Sequence, residues 1–471
     1  MSSPQELTAL SACAAVEALK REEISPLELL DAVEARIAEV EPKVNALPTL
    51  CFDRARDHAR RLMAKPVAER GVLAGLPLPI KDLTEVEGVR TCFGSPIFAD
   101  NIPQRSNILV HRVESEGGVI FGKSAVPEFG AGGHTFNEVF GMTHNPWDRS
   151  RSAAGSSGGA AVALATGMAW VAHGNDLGGS LRTPASFCGV VGFRPSPGRV
   201  ARDPGTTPGS LLGAEGPMAR TIADAALFLD ALAGEDAADP ISLPRLPESF
   251  LSAALKPRKP RKIAFSADLG ITPVDPEVAA ICRAAVAKLA DEGVVVEEAH
   301  PDFSGVHETF QTLRAHFFAA SHGQKLHDYP HLLKPEMIWN VEKGLKLGMA
   351  GLIDADAKRA ELIARTLSFF DDYDLLLTPA AIVPPFPNGL RYVEECAGRN
   401  FETYMDWLAI AYATTLTTAP ALSMPCGFTA GGLPVGMQVV ARPRGELAQL
   451  SYAAFLEPVF GAALERPIDP R

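Results

Sequence analysis

The chain has 471 residues, of which 46% are apolar, and a formal net charge of −12. This length allows one large α/β unit or two to three domains. The acidic balance argues against nucleic acid or an anionic membrane surface as a partner, and the basic run at 256–262 is interpreted as a solvated connector. Seven scattered cysteines without a CxxC pair predict reduced thiols. Because the N-terminus lacks the basic start of a signal peptide and the longest apolar run, 158–172, is too short for a membrane span, we expect a soluble, cytoplasmic protein.

Residues 1–65 are predicted to form helices that pack on the rest of the chain. Apolar residues recur at helical spacing at Leu27, Leu30, Val33, Ile37 and Val40. Ser25 and Pro26, followed by Glu28, are typical of a helix start, and Pro42 favours its end.

The remaining sequence alternates between loops, strands and helices. From 66 to 238, glycine, serine and proline are dense between short apolar runs, and a proline-rich connector follows at 239–262. KIAFSA, VAAICRAAVAKLADEG and VVVEE then indicate a strand, a helix and a strand, the order of a βαβ unit, which favours a parallel or mixed sheet. A helical cap insertion is predicted at about 305–370. Sheet patterning returns at DLLLTPAAIV and GLPVGMQVVARP, so 263–471 is assigned to the same α/β domain.

Two serine-containing loops are predicted to meet although they are distant in sequence. Residues 158–167 are compatible with a helix about 15 Å long, and residues 169–173 with a strand that returns roughly 16 Å. A helix followed by a returning strand brings the GSSG and DLGGS loops to the same end of the layer. Ser156 and Ser180 are therefore predicted to be neighbours.

The loop from Leu177 to Ser180 has a composition suited to binding an oxyanion. Glycine permits the dihedrals that aim successive backbone N–H groups at one point. Converging donors beside a serine hydroxyl stabilise a tetrahedral oxyanion by about 3–4 kcal/mol per donor in a well-studied case. The same residues are also expected in a glycine-rich connection whose serine caps the next helix, so the loop alone leaves both interpretations open.

A nucleophilic serine needs a base, and no histidine here has a persuasive context. Lys81 directly follows GLPLPI, an apolar segment that is predicted to be a buried strand. The pKa of a free lysine is about 10.4. For lysine to act as a base at neutral pH, this pKa must fall by about three, which corresponds to destabilising the ammonium form by roughly 4 kcal/mol. Burial in an apolar pocket lowers the pKa of lysine by such amounts. An ordinary solvated lysine is the alternative.

Taken together, these segments resemble the amidase signature family. The resemblance covers nearly the whole chain and is carried, in order, by ISPLELLDAVEARIAEVEPKVNAL, LPIKD, GKSAVPEFG, GSSGG, DLGGSLRTPASFCGVVGFRPSPGRV and PALSMPCGF…GLPVGMQVV. It implies a three-layer α/β/α fold with a large mixed sheet covered by helices, and 66–238 as its catalytic core. Residue by residue, it implies Ser180 as nucleophile, Ser156 as a bridging serine at an unusual cis peptide, and Lys81 as base.

The resemblance also implies the supporting parts of the site, without a cofactor or a metal. The oxyanion donors it implies are the backbone N–H groups of Leu177, Gly178, Gly179 and Ser180. Asp176 and Arg182 are predicted to form an ion pair that supports this loop, and Ser157 is a further supporting residue. The chain departs from the family at Ala154, where a glycine is usual, and at TLTTAP (415–420), which predicts an unusual acyl pocket.

Two other patterns are weaker candidates for sites. Ser157 completes a G-x-S-x-G pattern, but a nucleophile elbow follows an apolar strand, and NPWDRSRSAA stands there instead. Four histidines of the cap are spaced by six, five and four residues, which matches no single helix face, so pocket lining or exposure is favoured over metal binding. These histidines are His316, His322, His327 and His331.

We therefore expect an amidase that hydrolyses a small apolar or aromatic carboxamide to a carboxylate plus ammonia or an amine, through an acyl-enzyme on Ser180. One alternative is the glutamine-hydrolysing subunit of a tRNA-dependent amidotransferase, but its usual YGLVAFASSLDQ is replaced here within PGRVARDPGTTPGSLLGAEGP. Another is a non-catalytic binding paralogue, disfavoured because Lys81, Ser156 and Ser180 are all present. The resemblance is also compatible with a homodimer.

Overall fold

An eight-stranded mixed sheet forms the centre of the computed structural model, which describes residues 3–461 and 467–471. The strands are β1 Thr49–Leu50, β2 Pro77–Lys81, β3 Val119–Ser124, β4 Phe136–Asn137, β5 Gly141–Met142, β6 Val171–Asp176, β7 Val191–Arg194, β8 Ala214–Ala219, β9 Lys262–Phe265, β10 Val295–Glu298, β11 Leu375–Pro379, β12 Glu395–Cys396, β13 Arg399–Asn400, β14 Ala421–Phe428 and β15 Pro434–Val440. The α-helices are α1 Pro4–Ala9, α2 Ala12–Lys20, α3 Pro26–Val44, α4 Phe52–Met63, α5 Ile108–Ser115, α6 Gly158–Ala165, α7 Arg182–Cys188, α8 Ile222–Leu232, α9 Phe250–Ala254, α10 Pro276–Asp291, α11 Val306–Asp328, α12 Pro335–Leu345, α13 Met349–Asp372, α14 Ala409–Leu416 and α15 Glu446–Phe460.

The large sheet has the strand order β10-β9-β11-β15-β14-β7-β8-β6. Strands β10, β9 and β11 run parallel, and the other neighbouring pairs are antiparallel. The predicted βαβ unit is confirmed as β9, α10 and β10. Helices α8 and α10 each contact α15, and all three contact the sheet, while α6 and α7 form a second group against it. The predicted three-layer fold with a mixed sheet is thereby confirmed.

A second, three-stranded sheet carries Lys81. Strand β2 runs parallel to β3, with Lys81 beside Ser124, and it also packs against β6 of the large sheet. All five residues of β2 are buried, because strands and helices cover both of its faces. The last residue of β2 therefore lies in the interior, close to the end of β6.

Helix α3 begins where the sequence predicts and ends later. The backbone N–H of Ser25 donates to the Glu28 carboxylate at 2.7 Å, and the Ser25 hydroxyl accepts from the Glu28 N–H at 3.2 Å. The helix runs past Pro42 to Val44, although Pro42 has no N–H to donate to the preceding turn. It ends at Asn45, whose φ of 52° is left-handed.

Helices α11, α12 and α13 occupy the segment for which a cap is predicted. Helix α11 packs against α12, α13 and α14. The expected connector at 239–262 contains α9, whose Phe250 and Ala254 are buried in the main core. In the described ranges, every helix is too short or too polar to cross a membrane. All seven cysteines are free thiols.

Candidate active site

Lys81 is fully buried, and its amine is surrounded by uncharged oxygen atoms. Lys81 Nζ lies 2.8 Å from Ser156 Oγ and 2.8 Å from Ser157 Oγ. Asn175 supplies two more acceptors, Oδ1 at 2.7 Å and the carbonyl oxygen at 3.3 Å. This environment solvates the nitrogen without a carboxylate at hydrogen-bond distance among the described residues.

Burial lowers the pKa of Lys81 to about 7, against the opposing charges of Glu215 and Asp176. The Lys81 amine is therefore uncharged in a large fraction of molecules at neutral pH. The predicted depression of this pKa is thus present in the structure, and its cause is the predicted one.

The partners of Lys81 determine which group can give it a proton. A neutral amine has two N–H bonds and one lone pair, and the two Asn175 oxygens can only accept. The lone pair is thus left for a serine hydroxyl. The Ser157 hydroxyl is fully buried and lies 3.4 Å from the Asn175 carbonyl, whereas Ser156 lines the cavity described below. Of these two hydroxyls, that of Ser156 lies both at the cavity and at hydrogen-bond distance from Lys81.

The two serine loops meet, as the helix and returning strand predict. Helix α6 leads away from the GSSG loop, β6 returns to the DLGGS loop, and the Ser157 N–H donates to the Ser180 carbonyl at 3.2 Å. Ser156 and Ser180 line the same cavity, and the Gly155–Ser156 peptide bond is cis. Within the described part of the chain, Ser180 Oγ makes no hydrogen bond to Ser156, so a transfer between these hydroxyls stays a prediction.

Asp176 organises the loop that carries Ser180. Its fully buried carboxylate accepts hydrogen bonds from the Gly179 N–H at 2.9 Å and the Leu181 N–H at 3.0 Å. It also forms the predicted ion pair with Arg182, through Nε at 3.0 Å and Nη2 at 2.8 Å. Although burial by itself raises the pKa of Asp176, Arg182 brings it well below its usual range. The carboxylate is therefore ionised and accepts four hydrogen bonds, two from backbone N–H groups at the loop and two from the Arg182 side chain.

Gly179 differs from the expectation that its N–H faces an oxyanion. That N–H donates to Asp176, and the cavity is lined by Leu177, Gly178 and Ser180. The φ of Gly179 is +116°, and a Cβ added there would clash with Ala411 Cβ at 2.7 Å. The position therefore requires glycine. Gly179 shapes the loop, and the N–H groups of Leu177, Gly178 and Ser180 stay the predicted oxyanion donors.

The TLTTAP segment supports this loop. Arg182 donates to Thr415 Oγ1 at 2.9 Å and to the Ala411 carbonyl at 2.8 Å, which fixes α7 against α14. The cavity wall is instead formed by Met405 and Leu408, from the preceding residues. The expected link between TLTTAP and the acyl pocket is therefore replaced by a link to Arg182.

The sequence reasoning missed the polar face of β6 and β8. Asn175 lies opposite Glu215 in this antiparallel pair, and His173 Nε2 is 2.8 Å from Glu215 Oε2. Both Asn175 and Glu215 line the cavity. The available signal was the alternation of His173 and Asn175 after the apolar start of β6, which places both side chains on one face.

A cavity of about 260 Å³ opens beside Ser156 and Ser180. Part of its wall is aromatic and aliphatic, with contributions from Phe93, Phe129, Phe317, Phe318, Met405 and Leu408. Of the cap histidines, His322 lies in this wall, in agreement with a pocket position. Burial, with the nearby charges of Lys325 and Arg314, lowers the pKa of His322 to about 3, so this ring is neutral.

Comparison with known proteins identifies the family. The family model described as Amidase matches residues 28–450. The chain belongs to the amidase family. This amidase-family chain is 36% identical over 481 residues to an acylamidase of Rhodococcus erythropolis, covering 99% of this chain and 98% of the relative. It is 37% identical over 486 residues to a glutamyl-tRNA(Gln) amidotransferase subunit of Moorella thermoacetica, covering 95% and 96%.

Solved structures agree with this family assignment. A bacterial aryl acylamidase of the amidase signature family superposes with a TM-score of 0.89 at 28% identity, covering 96% of each chain. A 6-aminohexanoate cyclic dimer hydrolase superposes with a TM-score of 0.86 at 27% identity, covering 98% of this chain and 99% of that one. The resemblance seen in the sequence motifs is thus confirmed at the level of family and fold.

Proposed function

We propose that this amidase-family protein hydrolyses small apolar or aromatic carboxamides through an acyl-enzyme on Ser180. The observation that carries the proposal is the 2.8 Å contact between buried Lys81 and the cavity-lining Ser156. The similarity to an acylamidase and to an aryl acylamidase supports the reaction class. The aromatic wall of the small cavity supports the substrate class, because apolar walls bind apolar acyl or aryl groups.

In the proposed mechanism, neutral Lys81 accepts the Ser156 proton while Ser156 accepts the proton of Ser180. Ser180 Oγ attacks the amide carbonyl, and the loop N–H groups stabilise the oxyanion. The proton returns through Ser156 to the amine nitrogen, the C–N bond breaks and the amine leaves. Water then attacks the acyl-enzyme, using the same base, and the carboxylate is released.

A second candidate function is the glutamine-hydrolysing subunit of a tRNA-dependent amidotransferase. The similarity to the amidotransferase subunit of Moorella thermoacetica favours it, while the replaced YGLVAFASSLDQ segment disfavours it. Hydrolysis of glutamine that depends on added partner subunits would support this function. Hydrolysis of aryl amides by the isolated chain would support the first.

Labelling with a fluorophosphonate probe tests the nucleophile, and a panel of aliphatic, aryl and amino-acid amides tests the activity. We expect wild type to be labelled and active, and Ser180→Ala to be unlabelled and to lose at least about 10³-fold in kcat/KM. Ser304→Ala, at an exposed serine, is the control and should match wild type. Equal labelling of wild type and Ser180→Ala would contradict the assignment of the nucleophile, and an unlabelled wild type inactive on the panel would favour a binding paralogue.

The pH dependence should report the protonation of Lys81. Because only the neutral amine accepts a proton, kcat/KM of wild type is expected to rise with pH through a midpoint near 7, the pKa of Lys81. Glu215 raises this pKa, so Glu215→Gln should move the midpoint to lower pH. The exposed Glu308→Gln is the matched control and should leave it in place. A midpoint that moves upward in Glu215→Gln would contradict the assignment.

A further inference from the structure

Helix α11 places a guanidinium in the wall of the cavity. Phe310, Arg314, Phe318 and His322 follow one another at intervals of four residues, on one side of the helix. Phe310 packs on the loop from Leu177 to Ser180, since a Cβ at Gly178 would lie 3.1 Å from Phe310 Cζ. Arg314 is four residues, about 6 Å of helical rise, further along, and lines the cavity together with Phe318 and His322.

Arg314 is buried without a counter-ion. It is 5% exposed, and in the described ranges no carboxylate lies within ion-pair distance of it. Its guanidinium donates to Asn340 Oδ1 and lies 4.1 Å from the Phe318 ring centre and 5.6 Å from that of Tyr404. These neutral contacts orient the guanidinium, but they leave its charge uncompensated. Arg182 shows the contrast, since it is also buried but is paired with Asp176.

The carboxylates near Arg314 are engaged elsewhere. Glu336 forms a two-point ion pair with Arg391 at 2.7 and 2.9 Å. Asp406 accepts from Thr403 and from Gln311. The side chains of Lys334 and Lys343 add further positive charge on this side of the cavity.

The cavity wall carries charged side chains in two places, with Asp176, Arg202 and Glu215 on or next to β6 and β8, and Arg314 on α11. Glu215 lies at the catalytic end, opposite Asn175 and paired with His173. Arg202 also lines the wall, and its guanidinium donates to the Ser210 carbonyl. Arg314 lies on the cap side, where the aromatic rings are. An uncompensated buried charge is costly, and a ligand carboxylate would both neutralise it and match its planar fork.

We propose that Arg314 binds a carboxylate of the substrate, so that the preferred carboxamides carry an anionic group on either the acyl or the amine portion. This inference rests on the proposed amidase function. The substrate's apolar body then lies against Phe317 and Phe318, its amide carbonyl at Ser180 and its carboxylate at the guanidinium.

Two matched substrate pairs, in which a carboxylate replaces a methyl group, test this subsite. On the acyl side, succinyl-p-nitroanilide is compared with butyryl-p-nitroanilide; on the amine side, N-butyryl-4-aminobenzoate is compared with N-butyryl-p-toluidine. For one pair, wild type should prefer the carboxylate in kcat/KM by about 10- to 100-fold. Arg314→Met should lower that ratio to one or below. The exposed Arg283→Met is the control and should keep the wild-type ratio.

Binding to the Ser180→Ala variant gives a second readout that needs no turnover. By calorimetry, the carboxylate member of the preferred pair should bind at least about tenfold more tightly than its neutral partner, and adding Arg314→Met should remove the difference. A wild type that hydrolyses both members of each pair equally would overturn the subsite and leave the amidase function standing. A wild type that hydrolyses neither would overturn the amidase function, and equal binding of both members by Ser180→Ala would then overturn the subsite separately.

Discussion

Replacing Lys81 with methionine is expected to lower kcat/KM by at least about 10³-fold at every pH at which the protein is folded. Methionine has a similar length but no basic nitrogen, so the Ser156 hydroxyl loses the lone pair to which it donates. Steady-state hydrolysis of an aryl amide from pH 6 to 9 measures the effect. Because the buried Lys81 amine is costly to charge, the melting temperature should fall little.

Two further variants separate proton transfer from a structural role of Lys81. Lys81→Arg keeps a positive charge, but the pKa of arginine is above about 12, so it should also be inactive. Recovery of activity by arginine would show that the charge matters and would contradict the base assignment. Lys123→Met removes the other buried lysine of this sheet, which lies 3.8 Å from Asp82, and should lower stability while most of kcat remains.

Replacing Asp176 with asparagine is expected to cause the largest loss of stability, about 3–5 kcal/mol in the free energy of unfolding. The variant leaves Arg182 and Arg194 buried without the carboxylate that lies 2.8 and 3.7 Å from them. It also weakens the hydrogen bonds that hold the Gly179 and Leu181 N–H groups, so the nucleophile loop should lose its geometry and kcat should fall. Urea unfolding followed by circular dichroism measures the stability, and aryl amide hydrolysis measures kcat.

Two controls identify the origin of this loss. Asp148→Asn changes a carboxylate at the surface and should alter the free energy of unfolding by less than about 0.5 kcal/mol. Adding Arg182→Met to Asp176→Asn removes one unpaired charge and should restore part of the stability, although not the activity. If Asp176→Asn were as stable as wild type, the buried ion pair would not organise the loop.

Local sequence was sufficient to predict those elements whose structure depends mainly on residues within the same segment. The Ser25 capping box predicts the start of α3, and the small residues of α6 followed by the apolar start of β6 predict that the two serine loops meet. The order of KIAFSA, its helix and VVVEE predicts the parallel β9–β10 pair. In each case the periodicity of the chain or the length of a helix and its returning strand contains the information.

Contacts between distant segments could not be predicted in this way. The Gly179 N–H turns to Asp176 because Arg182 holds that carboxylate, and Arg182 is itself held by Thr415 from another helix. Asn175 reaches Lys81 because β2 packs against β6, from a different sheet. Neither Asn175 nor Glu215 belongs to a catalytic sequence motif, and their positions follow from the register between β6 and β8.

By itself, the sequence determined the family, the βαβ unit of β9, α10 and β10, and the meeting of the two loops whose serines, Ser156 and Ser180, line the cavity. Tertiary packing alone decided the protonation of Lys81 and the electrostatic surroundings of Arg314. The pKa of Lys81 depends on how completely the protein excludes water from it, and the charge of Arg314 is uncompensated because its neighbouring carboxylates pair with other residues. Solvation and pairing are properties of the three-dimensional surroundings of a group, because electrostatic interactions depend on distance through space and on burial.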